Sequence, residues 1–166
     1  MVLGVSRAVR AQDAEPGRFY ICQSYGMKSV ILQCISNEQA EREEDRKLAL
    51  LFTNGDKNDV YIGGFPSEIL VELEEVQVRV DPPSISGSKY STSIRSGMLL
   101  LSNDSAILAA STGGSGSFSW ATINISEGCV QSAKTIGDWV SFSRWSLVVL
   151  DDGEEIEIAT FEHFER

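Results

Sequence analysis

One histidine, three cysteines and four prolines are all that this 166-residue chain holds of those types. His163, near the C-terminal end between Phe161 and Phe164, has no Gly-x-Ser-x-Gly elbow anywhere to serve. Ser-His-Asp catalysis therefore has no foothold. Cys22, Cys34 and Cys129 are too few for a disulfide scaffold. None falls in a Cys-x-x-Cys or His-Glu-x-x-His spacing, so no metal site is expected. No run approaches the roughly 20 apolar residues of a membrane-spanning helix, so no span is expected. Positive charge is scarce: 14 Lys and Arg stand against 24 Asp and Glu, a net charge of −10. Such a surface repels phosphate backbones and anionic membranes alike, which argues against nucleic acid as a partner. The Gly-rich "STGGSGSFSW" lacks the Lys-Ser/Thr of a phosphate-binding loop, and no cofactor is expected.

What is present suits one soluble domain. Apolar residues make up 42% and charged residues 23% of the chain, enough to bury a core without staples. Residues 1–17 are small and polar and read as a disordered tail or a signal-peptide remnant. Within them, "AVRAQDA" (8–14) places Val9 and Ala11 where an export peptidase would cut before Gln12. The preceding "MVLGVS" is too short for the usual apolar core of about 7–15 residues.

From residue 18 the pattern is that of strands. "RFYICQSY" (18–25) and "KSVILQCIS" (28–36) flank Gly26 and predict an antiparallel hairpin. "NEQAEREEDRK" (37–47) has no apolar face and reads as an exposed turn or loop. "LALLFT" (48–53) and "VYIG" (60–63) enclose the turn-rich "NGDKND". In "ILVELEEVQVRVD" (69–81), Ile69, Val71 and Leu73 share one parity, while Val76, Val78 and Val80 share the other. A strand alternates faces with period two, so the switch at Glu74-Glu75 demands a bulge or a turn. Asp81-Pro82-Pro83 then ends the strand. "KYSTSIR" (89–95) and "MLLL" (98–101) predict a further pair. "SNDSAILAAST" (102–112), capped by polar residues and closed by Gly113-Gly114, predicts one short helix. "GGSGS" (113–117) marks a possible sub-boundary within the domain 18–166. "FSWATINIS" (118–126), "WVSFSRWSLVVL" (139–150) and "EIEIATF" (155–161) return to strands, the last two joined by the "DDGE" turn. The fold class is mainly β, an antiparallel sandwich or curled sheet with one short helix near 102–112.

Candidate chemistry is thin. If the first hairpin centres on Lys28, Cys22 and Cys34 lie opposite each other and can be bridged. A tight turn at Gly26-Met27 instead pairs Cys22 with Ile31, and no bridge forms. Cys129 has no evident partner and reads as a buried thiol. Glu72 and Glu74 share a strand face and could act as paired carboxylates, although a solvated face is the simpler reading. Neither "NGDKND" nor "DDGE" follows the calcium-loop spacing. Asn103-Asp-Ser105 and Asn124-Ile-Ser126 match the glycosylation sequon. Trp120, Trp139 and Trp145 are either core or a partner-binding surface.

"FYIC", "VILQC", the charged gap, "VQVRVD" and then "KYSTSIRSGMLLLSNDSAIL" together resemble the invasion-associated locus B family over residues 19–112. That resemblance implies a small exported bacterial protein of mostly β structure without an established reaction. It places the family's early cysteine pair on Cys22 and Cys34. The second pair falls on Ser93 and Met98, with Gly97 retained. The expectation is a non-enzymatic, exported (periplasmic or secreted) binding module, meeting a protein partner at the "ILVELEEVQVRV" strand or the tryptophan-bearing C-terminal hairpin. The alternative is a cytosolic structural or assembly subunit of an oligomer.

Overall fold

The computed structural model describes residues 5–24, 27–53, 60–90, 93–112, 120–132, 135 and 137–162. The loops "NGDKND" and "GGSGS", and His163, lie outside the described residues. Period-two alternation dominates what is described, and it folds as strands: β1 (Val5–Arg10), β2 (Phe19–Ser24), β3 (Met27–Ser36), β4 (Lys47–Thr53) and β5 (Val60–Gly63). β6 (Ile69–Leu73), β7 (Val76–Val80), β8 (Ile85–Ser88), β9 (Leu99–Leu101) and β10 (Ala106–Ser111) follow. The C-terminal third adds β11 (Trp120–Asn124), β12 (Cys129–Val130), β13 (Val140–Phe142), β14 (Arg144–Asp151) and β15 (Glu154–Glu162). Helical structure among the described residues is limited to three single 3-10 turns, at Ala11–Asp13, Glu43–Asp45 and Pro82–Ser84.

Six of these strands close on themselves as a barrel. β3 pairs with β4, β4 with β5, and β5 with β10. From there β10 pairs with β11, β11 with β12, and β12 returns to β3. The two joints that complete the ring, Ser111 beside Tyr61 and Cys129 beside Ser36, are parallel and short; the other pairings in it are antiparallel. Closure brings the backbone at Gly128 against the N-terminal segment at Gly17. A Cβ on Gly128 would stand 1.9 Å from the Gly17 nitrogen, and Gly128 also has φ +66°. Only glycine fits there. Ser36 N–H donates to the Gly128 carbonyl (2.7 Å) and Gly17 N–H to the Cys34 carbonyl (3.0 Å), stitching the seam.

Further strands extend the wall on both sides. β2 lies on β3, β6 on β2 and β1 on β6; β9 lies on β10, β13 on β9 and β8 on β13. A separate three-stranded sheet, β15-β14-β7, packs on the same core. An aromatic cluster joins the two layers. Trp145 stacks on Phe161 at 4.1 Å, and Phe52 meets both edge-on at 6.0 and 5.3 Å. Edge-on and offset contacts of this kind suit the ring quadrupoles. The Trp145 indole N–H donates to the Gly97 carbonyl at 2.9 Å, so the ring is satisfied as well as buried.

The parity switch in "ILVELEEVQVRV" marks a change of sheet. β6 belongs to the main wall and β7 to the small sheet, with Glu75 at φ 54° making the turn between them. "WVSFSRWSLVVL" divides in the same way: β13 stays on the main wall, Ser143 breaks the run, and β14 enters the small sheet. The "DDGE" turn behaves as its residues dictate, with Asp152 at φ 50° and Gly153 at φ 83°.

Three expectations require correction. The helix near 102–112 is strand β10: Ile107, Leu108, Ala109 and Ala110 are all fully buried, covered on both faces. A run buried on both sides loses its alternation and reads like a helix. Of the strand placed at 89–95, the described residues 89, 90 and 93–95 are turn or irregular, and the strand nearby is β8. Within residues 5–18, β1 pairs with β6 and Ala14 is fully buried. Finally, the first hairpin sets Cys22 opposite Val30, so Cys34 lies four residues further along β3, roughly 13 Å at strand rise. That is beyond disulfide reach. Cys22, Cys34 and Cys129 are all free thiols.

Candidate functional site

The main wall ends in a cleft. β8 is the outermost strand there, β13 lies beside it and β9 beyond. The chain leaving β8 turns at Lys89-Tyr90, the β9–β10 turn brings up Ser102 and Asn103, and Asp138-Trp139 leads into β13. Together with Ser88, Leu101 and Val140 these residues enclose about 480 Å³. Trp139 is buried against Met98, Leu100 and Ile107 and fixes the floor. Tyr90, in contrast, is 85% exposed. Its hydroxyl reaches Asp138 Oδ1 at 3.4 Å, Lys89 Nζ reaches the Gly137 carbonyl at 3.4 Å, and Lys89 N–H donates to the Trp139 carbonyl at 3.3 Å. The turn residues are thus tied across the cleft, and an aromatic face stands beside an amide, a carboxylate and an ammonium group. Apolar walls with a few convergent polar groups are what a ligand-binding cleft requires.

Two other hollows differ in kind. One, about 310 Å³, lies over the small sheet between Arg79, Arg144, Asp81 and Glu157. Its polar groups are spent on each other. Ser146 Oγ donates to Glu157 at 3.0 Å and Arg79 pairs with Glu155 at 2.8 Å. The Thr160 hydroxyl above all, helped by Ser146 and the two guanidinium groups, holds the Glu157 carboxyl below its usual range. The other, about 550 Å³, sits under the turn that follows β1, lined by Arg10, Ala11, Gln12, Glu68 and Ile69.

The residues singled out from sequence do not converge. Trp145 lies in the aromatic core, 1% exposed, and Trp139 is 5% exposed. Trp145 fills the aromatic core, while Trp139 packs on Met98, Leu100 and Ile107 and lines the cleft from below. Trp120 opens β11, and its side chain lies outside the described part. Glu72 is buried while Glu74 is exposed in the turn after β6, so they form no carboxylate pair. Burial pushes the Cys34 thiol up to about 11 and raises Cys22. Cys129 is raised as well, by burial first and then by Glu127 beside it. Thiols held protonated are poor nucleophiles at neutral pH. Asn124 is buried, receiving the Ser126 N–H at 3.0 Å and donating to Gln131 at 2.9 Å, so its sequon is structural. Asn103 is exposed. Among the described residues no group of three or more His, Cys, Asp or Glu is placed to hold a metal ion. No helix there is long and apolar enough to cross a membrane.

Tyr90 and Asp138 were not marked by the sequence. A tyrosine flanked by Ser and Lys carries a weak surface signal, but nothing local tells that β13 returns beside it. No family model, curated protein or solved structure matches this chain.

Proposed function

We propose that this chain is a non-enzymatic binding module, exported to a bacterial envelope, that takes its ligand in the cleft between β8, β9 and β13. The exposed Tyr90 ring above the buried Trp139 carries the reading. An aromatic face at the mouth of the cleft beside Asn103 and Asp138 offers a ligand both stacking and hydrogen bonding. Export is supported by the "AVRAQDA" run and by the family resemblance. Protein-observed NMR with panels of short peptides and oligosaccharides tests the site. Shifts should cluster at residues 88–90, 101–103 and 138–140, and Tyr90→Ala should remove them while leaving thermal unfolding unchanged. Ligand shifts that map elsewhere, or that survive Tyr90→Ala, would refute the cleft.

One observation favours a second reading, a cytosolic assembly subunit. Cutting after Ala11 removes β1, which the fold uses as a strand. Retention of residues 1–11 in the mature chain, with concentration-dependent growth on sizing, would put assembly first.

A further inference from the structure

The N-terminal arm divides into a pinned part and a detachable part. Residues 14–18 are pinned. Cys34 Sγ contacts the Ala14 carbonyl at 3.7 Å, Glu15 N–H donates to the Tyr20 hydroxyl at 2.9 Å, and Gly17 is locked against Gly128. β1 is held differently. It pairs with β6 alone, with its register broken between Val5 and Ala8. β6 keeps a full partner on its other side in β2, so the wall does not depend on β1 for closure. Between the two parts lies the 3-10 turn Ala11–Asp13, with an exposed Gln12 and the 550 Å³ hollow beneath it.

The contact that selects β1 is electrostatic. Glu72 on β6 has a side chain only 9% exposed, and its carboxylate takes Arg7 Nε at 2.8 Å, with Arg18 at 3.9 Å. Arg18 stays with Glu72 when β1 leaves, but the short, hydrogen-bonded contact is the one to Arg7, so a strand carrying a basic residue there is favoured over one that does not. Val9 meanwhile packs on the apolar face that includes Leu70 and Cys34. The β6 edge therefore reads an extended strand with a basic residue over Glu72 and a small apolar residue two positions on.

We infer that the β6 edge is an exchangeable strand slot, with β1 its resident occupant and a basic extended strand of a partner protein its alternative one. While β1 is tethered, its effective concentration near the slot, in the millimolar range for a short link, keeps competitors out. A cut in the Ala11–Asp13 turn removes that advantage and leaves backbone pairing and the Glu72 carboxylate to capture the incoming strand. This site is separate from the Tyr90 cleft and stands or falls independently of it.

The test begins with the full chain carrying a protease recognition sequence inserted between Ala11 and Gln12, cut after folding. The probe is a fluorescently labelled peptide of residues 1–11. The cut protein should keep a cooperative unfolding transition, exchange its own fragment for the labelled peptide, and bind the Arg7→Lys peptide comparably. The Arg7→Glu peptide should bind at least about tenfold more weakly. Failure of the fragment to exchange against excess peptide, or collapse of the fold on its release, would make β1 an integral strand and overturn the proposal. Equal binding of the Arg7→Glu peptide would overturn the role of Glu72.

Discussion

The barrel and the three-stranded sheet cover one core from two sides, and they finish their edges in opposite ways. The six-stranded ring has no edge of its own, because it closes through two short parallel joints and a glycine-on-glycine crossing, and only the strands added to it end, at β1 and β8. Among the described residues the small sheet leaves β7 and β15 unpaired on their outer sides and guards them with charge: Arg79 and Glu155 face each other across it, and Glu157 sits beside them. Both solutions deter edge-to-edge association. They differ in tolerance. Closure concentrates the constraint in a few backbone atoms, whereas charge spreads it over side chains that water can replace.

The sharpest way to break the contrast is Gly128→Ala. The added methyl meets Gly17 backbone atoms, and an L residue is strained at φ +66°. A loss of more than about 4 kcal/mol is expected, enough to abolish a cooperative transition in urea. A two-state unfolding curve near that of the parent would show that the seam can open without cost.

A middle-sized effect comes from the thiol behind the seam. Cys34 holds its proton to about pH 11 in the folded chain, against an ordinary value of 9.0. The folded pKa is raised, so its contribution is complete below pH 9 and is lost as pH climbs towards 11. Stability should fall by about 2–3 kcal/mol across that window, seen as a lowered urea midpoint. Cys34→Ala should flatten the part of the fall that this thiol supplies; an unchanged slope would assign the fall to other groups.

The smallest effect belongs to the open sheet. Arg79 and Glu155 are roughly half exposed, with side chains at 57% and 46%. A double-mutant cycle between them should give about 0.2–1 kcal/mol, fading in high salt. A coupling several times larger and insensitive to salt would mean that the small sheet is as rigidly specified as the barrel.

The same contrast explains what the sequence could reveal. Strands with one wet face were legible, because alternation survives in them; the parity switch at Glu74-Glu75 even marked where the chain leaves one sheet for the other. Strands buried on both faces were not: Ile107 to Ala110 lost their alternation and imitated a helix. Register was also hidden. Turn residues announced the first hairpin, but the register that sets Cys22 opposite Val30 separates Cys22 from Cys34 and removes the disulfide. The candidate site was almost illegible. Composition left the tryptophans open between core and partner surface, and Trp139 and Trp145 are buried, while Tyr90, Asn103 and Asp138 come together only because three distant segments share one end of the wall. The composition of β1 gives no hint of a strand, since its partner β6 supplies the context.

The meeting of Gly17 with Gly128 also sets a timetable. Gly17 and Gly128 lie 111 residues apart in sequence, so one leaves the ribosome well before the other. The N-terminal hairpin must wait with an unfinished wall until β10, β11 and β12 arrive. Loop-closure entropy makes such long-range joints slow to form. During that interval the β3 and β5 edges, which await β12 and β10, are open to any neighbouring chain. The crossing that removes an edge from the finished molecule thus makes edge exposure unavoidable during its synthesis.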